Sequence, residues 1–245
     1  MNALRDLAPR LLVLAAMLAA VGFGTVSCTA NPAVETGPGA EVTYDGLHRV
    51  DHATMDAAWM KPDLNLSAYT GLILTGAGMS FKPVDDDGQR WWPGLDDQGE
   101  FPISEENRKR LHEEMRTAFA EELSKLERFE IVQEPGPGVL LLAGALIDVV
   151  SRVPPVDECV GRCDVYLSEI GEATLVLELR DSVTNEVLVR AVDGRVAESD
   201  GWAIEGDSVT VWPEVRRLAQ SWARPARLWL EQLDSPGSIA DASGR

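Results

Sequence analysis

The 245-residue chain carries 22 Lys or Arg against 40 Asp or Glu, a formal net charge of -18 with a pI near 4.5. That acidic excess excludes an ordinary nucleic-acid binder, which needs a basic stripe to neutralise phosphates and a field that attracts the polyanion. Hydrophobic residues at 45% and charged residues at 25% exclude a mostly disordered chain and supply apolar material for one sizeable core.

Arg5 and Arg10 flank a short polar head, Leu11 to Val21 is an unbroken apolar run, and a stretch dominated by small residues closes on Cys28. This is the layout of a secretory signal peptide. The 17 residues from Leu11 to Ser27 lie at the bottom of the range for a membrane-spanning helix, which makes a spanning anchor the weaker reading. Val26 and Ser27 ahead of Cys28 resemble a bacterial lipobox, with Thr25 standing where Leu is usual. The chemistry requires a thiol at the new amino terminus, because the sulfur carries a diacylglyceryl group and the freed amine takes a further acyl chain. The rival is an ordinary signal in which Cys28 merely lies near the cut. Each buried methylene contributes about 0.8 kcal/mol, so two or three chains hold a protein on a bilayer where one does so only marginally. Thr29 is not the Asp that signals inner-membrane retention in many Gram-negative lipoproteins, which favours the outer membrane, facing the periplasm.

The expected organisation is a lipoprotein signal over residues 1–27, a flexible tether over 28–43 starting from acylated Cys28, one globular domain over 44–233, and a flexible Ser, Gly and Ala-rich tail over 234–245. Removal of the signal takes two of the basic residues and one of the acidic ones, so the processed chain stays strongly acidic. Such a domain is repelled by an anionic envelope surface, and the acyl chains are then what attaches it.

Within the domain, Tyr69 to Phe81 has Leu72, Ile73 and Leu74 among Gly71, Gly76 and Gly78, predicting a strand approached closely by neighbouring backbone. Lys82 to Pro102 is a long loop holding Asp85 to Asp87, Trp91, Trp92, Asp96 and Asp97. Trp91 and Trp92 either fold back onto the sheet or form an aromatic contact patch for a partner. The acids lack the ligand spacing of a known calcium loop. Ser104 then caps a helix with Glu105 and Glu106 in its first turn, and Leu111, Met115, Ala118, Phe119, Leu123 and Leu126 fall on one face.

A short strand follows at Phe129 to Val132, and Val139 to Val153 is a long apolar run, with Asp148 inside it, that reads as a central strand. Cys159 and Cys163, separated by Val-Gly-Arg in an exported protein, are expected to form a local disulfide. A tetrahedral metal site would need further ligands that the sequence does not offer, and a redox motif has two intervening residues, not three. Val165 to Arg180 and Glu186 to Glu198 alternate with period two and read as an antiparallel hairpin, with Asn185 taking the left-handed turn position. Pro213 opens a last helix with Val215, Leu218, Trp222, Trp229 and Leu233 on one stripe, and Pro225 is expected to kink it. The order predicts an α+β fold, a mainly antiparallel sheet of about five strands with two helices packed on one face.

The hairpin text GEATLVLELRDSVTNEVLVRAVDGR, Gly171 to Arg195, resembles the signature of a bacterial lipoprotein family catalogued as domain of unknown function 3313. The likeness extends to Tyr44 and Leu47, to Leu66, Ser67 and Tyr69, and to Trp212, Val215, Trp222 and Ala223 in the last helix, so that it covers about Tyr44 to Leu233. Asn185 replaces the Gly that commonly follows the Thr in that hairpin. The resemblance implies an exported lipoprotein and supplies no catalytic residues.

No nucleophile elbow, phosphate-binding loop or zinc-protease motif is present in the sequence. His48 and His52 flank Asp51 at a spacing of four, and a surface or packing role outweighs metal ligation there. No metal or cofactor is expected. The functional expectation is a non-enzymatic, lipid-anchored envelope protein that binds a protein or envelope component; its partners are then the membrane and that component, and no nucleic acid. The alternative is an envelope hydrolase using acids within the sheet, such as Asp148 and Glu178, as general acid and base.

Overall fold

The computed structural model describes residues 32–84, 100–153, 166–167, 169–198, 204–205, 211–234 and 240–241. The strands in chain order are β1 (Ala33–Val34), β2 (His48–Asp51), β3 (Ala57–Met60), β4 (Gly71–Phe81), β5 (Glu130–Ile131), β6 (Val139–Ser151), β7 (Tyr166–Leu167), β8 (Glu169–Asp181), β9 (Val187–Glu198), β10 (Ile204–Glu205) and β11 (Ala240–Asp241). Helix α1 (Glu105–Leu123) lies between β4 and β5, and α2 (Trp212–Asp234) between β10 and β11.

Nine strands form one sheet in the order β11-β1-β2-β3-β9-β8-β6-β4-β5, and β7 pairs with β10 separately. Most pairings are antiparallel, but β4 runs parallel to both β5 and β6, and β1 to β11. Among the described residues the fold is therefore α+β with two helices, as expected, but the sheet is larger than about five strands and mixed. The additional strands are only two to four residues long, too short to repeat a period-two pattern. The parallel pairing arises because α1 carries the chain from the end of β4 back to the start of β5, a crossover that a hairpin cannot make. Ala33–Val34 lies within the stretch read as a tether and Ala240–Asp241 within the stretch read as a tail, and both belong to the sheet.

The β8–β9 hairpin shows how the sequence dictates the layers. Ala173, Leu175, Leu177 and Leu179 are buried toward the helices, while Thr174, Val176, Glu178 and Arg180 take the opposite face and stay half-buried. Asn185 has φ 60°, the left-handed turn geometry that an Asn tolerates, and Asp181 fixes the turn by accepting from the Val183 and Thr184 amides at 2.9 and 2.8 Å. Gly171 is required by close approach: a Cβ there would lie 2.2 Å from the Val150 carbonyl oxygen, at the irregular register where β6 and β8 part.

Ser104 caps α1, its Oγ accepting from the Asn107 amide at 3.2 Å. Met115, Ala118 and Leu123 lie buried on the face toward the sheet, and Glu105 pairs with Lys109 on the solvent side. On α2, Ala219, Trp222, Ala223, Ala226 and Leu230 are buried at spacings of three and four. Burying one large apolar side chain contributes about 1.5–3 kcal/mol, so this stripe is what fixes α2 to β8 and β9. Small residues at positions 219, 223 and 226 bring the helix axis close to the sheet around Trp222. Pro225 sits inside the helix. Arg216 and Arg227 on α2 reach Glu114 and Glu122 on α1 at 2.8 and 3.1 Å, which ties the two helices side by side on one face.

Candidate functional site

Beyond Leu72, where its pairing with β5 ends, β4 has no further strand recorded on its outer side among the described residues. Helix α1 passes over this margin of the sheet. On the face beneath it, Gly76 of β4 stands directly opposite Gly144 of β6 in the ladder. Two adjacent positions thus lack side chains where the rest of the layer carries Leu. A Cβ at Gly76 would meet His112 Nε2 at 3.2 Å, and one at Gly144 would meet Leu177 Cδ2 at 3.3 Å. The glycine pair leaves a cleft of about 310 Å³ between α1 and the sheet. Its walls are apolar: Leu74, Met79, Met115, Phe119, Leu142 and Leu146. Thr75, His112, Arg116 and Gln133 also line it and supply its polar side chains.

His112 and Arg116 are one helical turn apart and share a face of α1. Arg116 is exposed and pairs with Glu113 at 2.7 Å, an interaction that holds the Glu113 carboxyl below its ordinary range. Gly76 reads from sequence as a small residue in a strand, and Gly144 lies unremarked within the Val139 to Val153 run. The available signal was their occurrence in two otherwise apolar strands, but their ladder pairing comes from the parallel β4–β6 register.

A second hollow of about 480 Å³ lies toward the amino-terminal ends of both helices, walled by Ile103, Leu111, Val149, Ile170, Trp212 and Leu218. Arg110 stacks 4.3 Å over the Trp212 ring there. Its other lining includes Val153 and Val211, at the borders of undescribed segments.

The carboxylates considered for general acid–base chemistry occupy different settings. Glu178, on the face away from the helices, accepts from Arg190 Nε at 2.8 Å and from Arg180 Nε at 3.0 Å. Burial alone would raise its pKa, but the hydrogen bonds and charges of Arg190 and Arg180 outweigh it and hold the carboxyl below its ordinary value. A group held ionised by two arginines is a poor proton donor. Asp148 is exposed at the irregular stretch of β6 with φ 52°. His48 lies in β2 with Nδ1 2.9 Å from the Glu35 carbonyl oxygen, and His52 is a separate left-handed residue with φ 57°. Among the described residues no group of three or more His, Cys, Asp or Glu side chains is placed to hold a metal ion. Cys28, Cys159, Cys163, Trp91 and Trp92 lie outside the described residues, as does the acidic run from Asp85.

The sequence matches the model of a family described as a protein of unknown function, DUF3313, over residues 38–226. The chain belongs to this family. The match spans α1, the β8–β9 hairpin and α2 as far as Ala226. No curated protein matches the chain. Solved structures similar to this DUF3313 protein include the PelC dodecamer from Paraburkholderia phytofirmans, at 11% identity and a TM-score of 0.33, covering 69% of this chain and 96% of that one. Another is protein XCC0632 from Xanthomonas campestris, of the DUF330 family, at 12% identity and a TM-score of 0.37, covering 71% and 92%. A third, from Caulobacter crescentus CB15 and provisionally described as a lipoprotein, has 16% identity and a TM-score of 0.30, covering 50% and 84%.

Proposed function

We propose that this DUF3313 protein is a lipid-anchored cell-envelope protein, held at the outer membrane and facing the periplasm, that acts by binding a partner or envelope component. The observation that carries the binding reading is the contrast between its two sheet faces. On one, Glu178 is engaged by Arg180 and Arg190; on the other, a glycine pair opens an apolar cleft, the kind of space that takes up a ligand by burying apolar surface. The anchoring half rests on the Arg5 to Cys28 pattern and on the strongly acidic composition.

Acylation at Cys28 has a geometric consequence in this reading. Only Thr29, Ala30, Asn31 and Pro32 separate Cys28 from β1, so Ala33 stays within about 18 Å of the lipidated residue. The domain then works beside the bilayer surface. With Cys28→Ser, the protein is expected to lose metabolic labelling by palmitate and to keep its signal, so that its mass rises instead of falling to that of the processed chain. A variant that still incorporates the label, or that is processed to unchanged mass, would refute the anchor. Non-reducing mass spectrometry of the processed protein tests the proposed Cys159–Cys163 disulfide, which is expected to leave no free thiol at either position.

A further inference from the structure

Resting on the binding reading above, we infer that the cleft between α1 and the β4–β6–β8 layer takes one acyl chain of about twelve carbons, with an anionic head group against His112 and Arg116. The length follows from volume. A cavity of about 150 Å³ accommodates a benzene ring, so one of about 310 Å³ holds roughly twice as many carbons. The lining fits a flexible chain: Leu74, Leu142 and Leu146 form the floor, while Met79, Met115 and Phe119 offer the polarizable, adaptable contacts that suit an unbranched chain. Gly76 and Gly144 face each other across the ladder, and the side chains of His112 and Leu177 approach them from above, so the cleft is bounded there by backbone, the imidazole and Leu177.

The head-group assignment comes from charge. On a chain with a net charge of -18, the charged or titratable groups lining this cleft are Arg116 and His112. Both project from one face of α1, and the imidazole lies over Gly76, with its Nε2 3.2 Å from where a Cβ would stand. Glu113 is the acid that competes, paired with Arg116 through two hydrogen bonds, but the guanidinium is exposed and keeps donors for a second acceptor. A carboxylate or phosphate at this point gains a charge-assisted hydrogen bond, whereas a cationic head meets Arg116.

The test is isothermal titration of residues 28–245 produced without the signal and carrying Cys28→Ser, so that its own acyl chains are absent, with dodecanoate and dodecyl phosphate below their micelle concentrations. Saturable one-to-one binding is expected, and the stronger of the two identifies a fatty acid or a lipid phosphate as the source. Hexanoate should bind at least about a hundredfold more weakly, since six methylenes are no longer buried. Dodecyltrimethylammonium should bind at least about tenfold more weakly, through charge. Ala120→Trp, on the exposed side of α1 at the cleft, should weaken dodecanoate about tenfold or more by blocking entry while leaving the core intact. Gly144→Leu fills the cleft from within and should do the same. No saturable binding of either anionic probe overturns the inference, as does dodecanoate binding that Ala120→Trp leaves unchanged. Equal affinity for the cationic probe overturns the head-group assignment. A dimer that dissociates on Ala120→Trp in sedimentation, with no probe bound, would assign the cleft to a second copy of the chain. None of these outcomes depends on Cys28, so the anchor and the cleft stand or fall separately.

Discussion

Asp193→Ala is expected to remove about 3–5 kcal/mol of folding stability, because a buried carboxylate is the common acceptor for three parts of the fold. Asp193 is only 4% exposed and faces α2 from β9. Its Oδ2 accepts from Trp222 Nε1 at 3.0 Å and from Arg195 Nε at 2.6 Å, while Oδ1 accepts from the Asp56 amide at 3.0 Å. Asp56 replies by accepting from the Gly194 amide at 2.9 Å, which locks the entry to β3 against β9. Trp222 is fully buried, so its indole N–H has no water to replace the lost acceptor. Asp193→Asn keeps the shape but turns one oxygen into a donor facing other donors, and should cost nearly as much. Trp222→Phe removes one donor and leaves the carboxylate its other partners, for about 1.5–3 kcal/mol. Denaturant midpoints of the three variants check the order. A loss for Asp193→Ala no larger than that for Trp222→Phe would show that the carboxylate is not the shared anchor.

That anchor also marks where sequence reading stops. The β8–β9 hairpin was legible because its strands are long, alternate with period two and are joined at Asp181 and Asn185 by turn residues with a known mechanism. Helix α1 was legible from Ser104 and its apolar spacing, and Trp222 and Trp229 were correctly read as core. Asp193 carries no such signature, since an acid at an inward strand position breaks the alternation, and two of its three partners, Trp222 and the Asp56 amide, lie 29 and 137 residues away in sequence. The short strands β2 and β3 hold too few residues to display a period. The cleft depends on the register that places Gly76 beside Gly144, and register between parallel strands is set by the crossover through α1, not by either strand alone. The pairing of Glu178 with Arg180 and Arg190, by contrast, could be anticipated from charge and strand parity, and it weighs against the hydrolase alternative.

The last expectation concerns Arg190 and acid. Its guanidinium joins two elements: Nε donates to Glu178 on β8, and Nη1 and Nη2 donate to Asp45 at 3.3 and 2.8 Å in the segment that precedes β2. Burial would lower the Arg190 pKa, but its hydrogen bonds to Asp45 and Glu178 raise it well above its ordinary value, so it is charged at every accessible pH. For Asp45, burial pushes upward while Arg190 and Thr43 pull harder downward, leaving the carboxyl below its usual range. Glu178 is shifted the same way. Carboxyls depressed in the folded state contribute stability that is fully present above their unfolded pKa values and is lost as pH falls through the folded ones. Stability of the wild-type protein should therefore decline below about pH 4.5, and Arg190→Ala should flatten that decline while lowering stability at neutral pH by about 2–3 kcal/mol. The pair is partly exposed, which keeps the loss below that of Asp193→Ala. Some acid sensitivity should persist in the variant, because the Thr184 and Val183 amides and the Tyr69 hydroxyl still depress Asp181. Arg190→Lys is the sharper probe: one ammonium cannot serve Glu178 and Asp45 with the fork geometry of a guanidinium, so most of the loss should remain although the charge is kept. Unfolding curves from pH 3 to 7 check this. A Lys variant that matched the wild type across that range would reduce Arg190 to a point charge and remove the bridge between β8 and the amino-terminal segment.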